Sequence, residues 1–190
     1  DINSPGEAGV TYIMGAGYGG VPEAGSAQAE ALQALRAQSA NRNRALVGRI
    51  NAALPAIQID YQNDVLPLTP GGNATERHIT RAYVNRILQA FDDPRSLVAF
   101  LAELLERRQA EVRDLLDDRP SLEDAVRSRL VKRGGIGYEA PTERTFPPAK
   151  QFFGWVRSCR AIPMVAWLDG TTGGESDPEA LLDLMVGMGA

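Results

Sequence analysis

Apolar positions in this chain recur mostly at helical spacing. Between Pro22 and about Ala53 the sequence is rich in Ala, Gln, Leu and Arg, which are strong helix formers. Leu32, Leu35, Leu46, Ile50 and Leu54 fall near one face, and Arg36, Arg42, Arg44 and Arg49 point elsewhere. That pattern predicts one long amphipathic helix, with a loose turn around Gly25-Ser26 before it and Pro55 ending it. Ile57 to Tyr61 alternates as a brief extended stretch, and Asp60 to Leu66 has room for one or two helical turns. A second helix runs from Glu76 to Phe91 with Ile79, Tyr83, Ile87 and Leu88 as its buried stripe. Asp93-Pro94 caps a third, predicted to run unbroken to about Leu116, and Pro120 opens a fourth that ends near Val131. Glycines and prolines from Lys132 to Pro148 mark loop, with a short strand possible at Tyr138.

Two stretches read as strands. Val10 to Met14 is a β-type run between glycines, and Ile162 to Leu168 is continuously apolar, as a buried parallel strand would be. A helix from Pro148 to Arg160 precedes the second strand, and Asp177-Pro178-Glu179 caps a helix after it. Strand, loop and capped helix in that order form the repeat unit of α/β barrels. The expected fold class is therefore α/β and predominantly helical, with partial β/α-barrel strands flanking an inserted helical subdomain. Residues 1–21 would be a barrel-type strand and glycine loop, 22–141 the insert, and 142–190 a barrel-type helix-strand-helix segment.

Composition narrows the function. The 190 residues are 44% hydrophobic and 23% charged, values of a globular chain that buries a core. A net charge of −4 speaks against nucleic acid as a partner, since phosphate neutralisation needs a basic surface. The single cysteine, Cys159, excludes an intrachain disulfide framework and suits a reducing, cytoplasmic compartment. No apolar run approaches the roughly 18 residues that span a bilayer, so no membrane partner is expected. The chain opens on Asp1 and closes on Met188-Gly189-Ala190 after an apolar run. Both ends read as cuts, so flanking segments of the same polypeptide or a partner chain are expected beside it.

Four places could hold chemistry. The cluster Gly15 to Gly20 lacks the lysine of a phosphate loop and fits a strand-to-helix turn better. Arg77 and His78 stand at the predicted start of a helix, where backbone N–H groups favour an anion; the plain alternative is a capping role. Asp169 and Glu175 follow the apolar strand, where α/β folds carry function, and two carboxylates there suit a hard metal or acid–base work. The plain alternative is a turn at Asp169-Gly170 and an exposed Glu175. Lys132 and Arg133 beside Gly134-Gly135, with Lys150 further on, could cradle phosphate, or answer a helix dipole. One histidine and one cysteine cannot supply the usual zinc ligand set.

The order of motifs resembles the middle and insert region of PHP-domain proteins, the polymerase and histidinol phosphatase family of metal-dependent phosphoesterases. Thr11 to Gly17 resembles a family strand, and Asn41 to Asn51 resembles the helix before the family's insert. Glu76-Arg77-His78-Ile79 resembles its Arg-Pro-His-Ile element, Gly135 to Pro141 its closing glycine-tyrosine-proline stretch, and Ile162 to Gly170 a barrel strand. The resemblance implies a distorted β/α barrel holding divalent metal ions through His, Asp and Glu, under a helical lid, with a phosphorylated small molecule as substrate. Arg77, His78 and Arg133 would then bind the phosphate, and Asp169 and Glu175 would serve catalysis. Tyr12 and Trp167-Leu168 stand where the family places histidines, and Glu7 stands near a family metal ligand. The expected function is a PHP-like phosphoesterase segment hydrolysing a phosphate ester. The alternative is a non-catalytic helical binding or regulatory module that keeps the architecture.

Overall fold

The computed structural model describes residues 11–142, 144–167, 170 and 176–190. Glu7, Asp169 and Glu175 lie outside them. The fold is predominantly helical with a small two-stranded sheet. Two compact units divide the chain: residues 39–140 form one, and the other combines residues 1–38 with 141–190. Helix α1 (Ala27–Ala53) contributes its first turns to the discontinuous unit and its later turns to the continuous one. Among the described residues no helix is long and apolar enough to cross a membrane.

In the continuous unit the later turns of α1 bury Leu46, Val47 and Ile50. Three short helical turns follow at Pro55–Ile57, Tyr61–Val65 and Leu66–Leu68. The middle one is wound wider than an α-helix, with the Leu66 N–H donating to the Tyr61 carbonyl five residues back. Helices α2 (Glu76–Ala90), α3 (Pro94–Leu105), α4 (Gln109–Leu116) and α5 (Arg119–Leu130) complete the unit. Its core joins Ile50, Ile57, Val65, Ile79, Tyr83, Leu101, Val112 and Leu130, all fully enclosed. Each such aliphatic side chain contributes about 1.5–3 kcal/mol by leaving water. The core is tied by polar side chains as well. The Tyr83 hydroxyl shares its one proton between Asn51 Oδ1 at 2.9 Å and the Val47 carbonyl at 3.1 Å, and Asn43 Nδ2 donates to the Ala74 carbonyl at 2.8 Å.

Two local expectations in this unit need correction. The single helix expected from Pro94 to Leu116 breaks at Glu106, which sits in the left-handed region at φ 55°. There the Arg107 N–H reaches the Ala102 carbonyl at 3.0 Å and the Glu106 N–H reaches Glu103 at 3.3 Å, a helix-ending pattern that normally takes glycine. The stretch at Tyr138 is a turn, not a strand. The glycines beside it are structural: Gly134 has φ 82°, and a Cβ on Gly135 would lie 2.8 Å from the Lys132 carbonyl oxygen. They let the chain turn back so that Ile136 and Gly137 donate to the Arg129 and Leu130 carbonyls, closing the end of α5.

The discontinuous unit is thinner. It holds β1 (Ile13–Ala16), the first turns of α1, α6 (Ala149–Ser158), β2 (Ile162–Val165) and α7 (Pro178–Met188). Phe153, Leu181 and Met185 are its buried centre, with Ile13 and Val165 packed on them from the sheet. The expected buried parallel strand is not what forms. β2 pairs antiparallel with β1, with Ile13 opposite Val165, Met14 opposite Met164 and Ala16 opposite Ile162. One face of the ribbon packs inward while Met14, Ile162 and Met164 stand exposed. Pro163 explains part of this. The Ala166 N–H donates to the Tyr12 carbonyl at 2.9 Å, so by the alternation of an antiparallel ladder residue 163 faces the outer edge. A proline there removes the donor a further strand would need, which marks β2 as an edge strand.

Candidate functional site

The N-terminus of α2 is the first place to look, because the sequence puts Arg77 and His78 there. Thr75 is extended at φ −111° and ψ 169° and opens the helix. His78 Nδ1 accepts the Thr75 backbone N–H at 3.1 Å and lies 2.9 Å from its Oγ1. Histidine thus fills the position that glutamate or glutamine takes in a capping box. Arg77 points from the exposed side of α2 to Asp124 on α5, with Nη1 3.6 Å from Oδ1. Arg133 is exposed in the turn beyond α5.

A residue that the sequence reading passed over dominates this end of α2. Glu76 Oε2 takes Arg127 Nη2 at 3.0 Å and Lys132 Nζ at 3.0 Å. Burial works against its charge, and the hydrogen bonds and charges of Lys132 and Arg127 outweigh that, so its pKa lies below the ordinary glutamate value. Arg42 of α1 has its pKa lowered by burial, with the nearby Glu76 charge acting the other way. Two cations therefore share one carboxylate in the first turn of α2, with Arg42 near enough to feel its charge. The signal was in the sequence, as an acid at a helix start and bases at the end of another helix, but the pairing of those two ends was not. One helical turn along, Glu123 repeats the device with Arg119 at 2.8 Å and Arg81 at 3.4 Å. Lys132, considered above as a phosphate cradle, is engaged by Glu76 instead.

The second place is a cleft of about 510 Å³ in the discontinuous unit, between the first turns of α1 and helix α6. Ala27, Ala31 and Ala34 form its shallow α1 wall, spaced to share a helix face. Phe152, Gly154 and Trp155 form the opposite wall. The Trp155 Nε1–H donates to the Gln28 carbonyl at 3.0 Å, and Gln28 Nε2 returns a bond to the Ser158 carbonyl at 3.2 Å. Tyr18 and Phe152 flank the indole with ring centroids 5.8 and 5.7 Å away. The indole is held in one orientation by a bond and two rings, and no charged side chain lines the cleft among the described residues. A larger groove of about 610 Å³ in the continuous unit is polar, but its groups already hold that unit together. Asn51 binds Ile59 and Tyr83, Asp60 caps Asn63, Asp64 accepts the Asp60 N–H, and Asn85 accepts Arg119.

Among the described residues no group of three or more His, Cys, Asp or Glu side chains is placed to hold a metal ion. No family model, curated protein or solved structure matches this chain.

Proposed function

We propose that this chain is a non-catalytic helical binding module whose cleft between α1 and α6 takes an uncharged, planar ligand group. The observation that carries the reading is the lining of that cleft. Its volume of about 510 Å³ is that of a small-molecule site. Among the described residues its walls are alanine, leucine, glycine and two aromatic rings, with amide side chains at the margin and no ionisable group to serve as acid or base. The hydroxyl of Ser158, the one among the described lining residues, donates to the Trp155 carbonyl at 2.7 Å. An uncharged ring stacked on the fixed indole gains apolar burial and aromatic contact, whereas a phosphate there would lose its water without gaining a cation.

Saturation-transfer NMR with a set of neutral planar heterocycles tests the reading. Gly154 faces the cleft, and a Cβ built on it meets nothing within 4 Å. Gly154→Leu should therefore fill the space and abolish the transfer while circular dichroism stays unchanged. Transfer that persists undiminished in Gly154→Leu places the ligand elsewhere and sinks the proposal.

One observation favours a second reading, the PHP-like phosphoesterase. In it Asp169 and Glu175 serve catalysis, divalent metal ions are bound with flanking segments, and a phosphate ester docks near Arg77, His78 and Arg133. Its support is the surplus of positive charge where Arg127 and Lys132 both bind Glu76, with Arg42 nearby. A phosphate would have to displace Glu76 from two cations, which is why this reading ranks second. Calorimetric titration of the wild-type protein with inorganic phosphate decides it: tight, saturable heat promotes this reading, and none removes its support.

A further inference from the structure

The polar groove of about 610 Å³ in residues 39–140 has more groups than the unit spends on its own structure. One wall is the wide turn Tyr61–Val65 with its cap, which brings Asp60, Asn63 and Asp64. The other is α2, where Ala82, Asn85, Arg86 and Gln89 recur at the spacing that shares a helix face. Each carboxylate of the turn ties one oxygen to the backbone: Asp60 Oδ1 accepts the Asn63 N–H at 2.7 Å, and Asp64 Oδ2 accepts the Asp60 N–H at 2.6 Å. Both residues are exposed, and the second oxygen of each takes no hydrogen bond from the described residues. On α2 the side chains of Arg86 and Gln89 are exposed as well and bond to none of the described residues. Arg77 and Arg81, earlier on the same helix, both reach acids on α5. Arg86 instead shares a groove with two carboxylates and pairs with neither, because those carboxylates are fastened to their own turn.

We infer that this groove binds a short peptide by its two free ends, the N-terminal ammonium at Asp60 and Asp64 and the C-terminal carboxylate at Arg86. A ligand of one sign is disfavoured, since an anion meets two carboxylates and a cation meets the guanidinium. A zwitterion satisfies both walls, and the arginine fork matches a carboxylate through two parallel N–H donors. Asn63 and Gln89 each carry a side-chain donor and a side-chain acceptor in the same groove, as a peptide group between the two charges requires. A free amino acid has no such group for them to bind. Pro67 and Leu68 supply apolar surface for a side chain of the ligand. The volume lies within the usual range of small-molecule sites. Every charged group involved is exposed, so screening keeps each contact weak and the dissociation constant is on the order of 1 mM.

The test follows the full chain by NMR during titration with triglycine at low salt. The side-chain amide signals of Asn63 and Gln89 and the Arg86 Nε–H should shift together and saturate. N-acetyl-triglycine and triglycine amide, each lacking one terminal charge, should bind about tenfold more weakly. Arg86→Gln should lower the affinity for triglycine to that for the amide with unchanged circular dichroism, because the Arg86 side chain is exposed and holds no described residue in place. Arg95→Gln, at an exposed arginine of α3, should leave binding as it is. Absence of saturable shifts, capped peptides that bind as well as triglycine, or an Arg86→Gln protein of undiminished affinity overturns the inference. Glycine that binds as tightly as triglycine overturns the peptide as ligand, and shifts confined to Phe152 and Trp155 overturn the groove as the site.

Discussion

Replacing Glu76 with glutamine tests whether the start of α2 is an anion site filled by the protein itself. The change keeps the shape and removes the charge. Two cations at 3.0 Å lose their shared partner, with the Arg127, Lys132 and Glu76 side chains 24%, 44% and 39% exposed. After discounting for that exposure each pair is worth about 1 kcal/mol. The favourable placement of an acid in a first helical turn adds about 0.5 kcal/mol. A glutamine oxygen still accepts one of the two hydrogen bonds, so the net loss should be about 1–2 kcal/mol. In urea, with a slope near 2 kcal/mol/M, the midpoint should fall by about 0.5–1 M. The pH dependence gives the sign. The folded protein holds the Glu76 pKa below its ordinary value, so its stabilisation is present above the unfolded pKa and fades as pH falls through the folded one. The wild-type protein and Glu76→Gln should therefore converge in acid and separate towards neutrality. Phosphate should raise the melting temperature of Glu76→Gln more than that of the wild-type protein, because the variant has cations without a carboxylate. A midpoint unchanged at neutral pH, or a difference that does not shrink in acid, would refute the assignment of Glu76 as the group neutralising this cluster.

Three further substitutions check the packing. Gly137→Ala should destabilise by about 1–3 kcal/mol in urea titration, since its Cβ would lie 2.5 Å from Ile50 Cγ1 in the core; a neutral outcome would mean that the core there is loose. Asn43→Ala strands the buried Ala74 carbonyl and should cost about 1–3 kcal/mol, reduced slightly by the better helix propensity of alanine. Gly154→Ala should raise stability by about 0.5–1 kcal/mol, because it removes a glycine from a helix interior where nothing obstructs a methyl group; a loss instead would show that the cleft walls sit closer than described.

The helices were legible because their signals are local. Ile79, Tyr83 and Ile87 repeat at helical spacing, and Asp93-Pro94 and Asp177-Pro178 cap where such pairs do. The break at Glu106 was not, because its left-handed turn uses a residue that gives no sign of it, in a run that otherwise propagates helix. The strand Ile162–Val165 was found but its environment was misjudged. Continuous apolar residues suggest burial on both faces, and Pro163 in the middle was the contrary clue. At the site, Arg77 and His78 were located at a helix start as expected, yet the chain uses them for an ion pair and a cap. The cleft between α1 and α6 had only a faint sequence signal, alanines at 27, 31 and 34, because its other wall lies more than a hundred residues away in the chain.

That separation also sets an order of events during synthesis. β1 ends at Ala16, and its partner strand begins only at Ile162. At ribosomal speeds of about 5–20 residues per second, β1 waits roughly 7–30 s for a strand to pair with. All of residues 39–140 are made in that interval, and that continuous segment has a core of its own to close around. The ribbon then forms only after that segment is complete, and for those seconds Tyr12 and Met14 are available to chaperones or to another nascent chain.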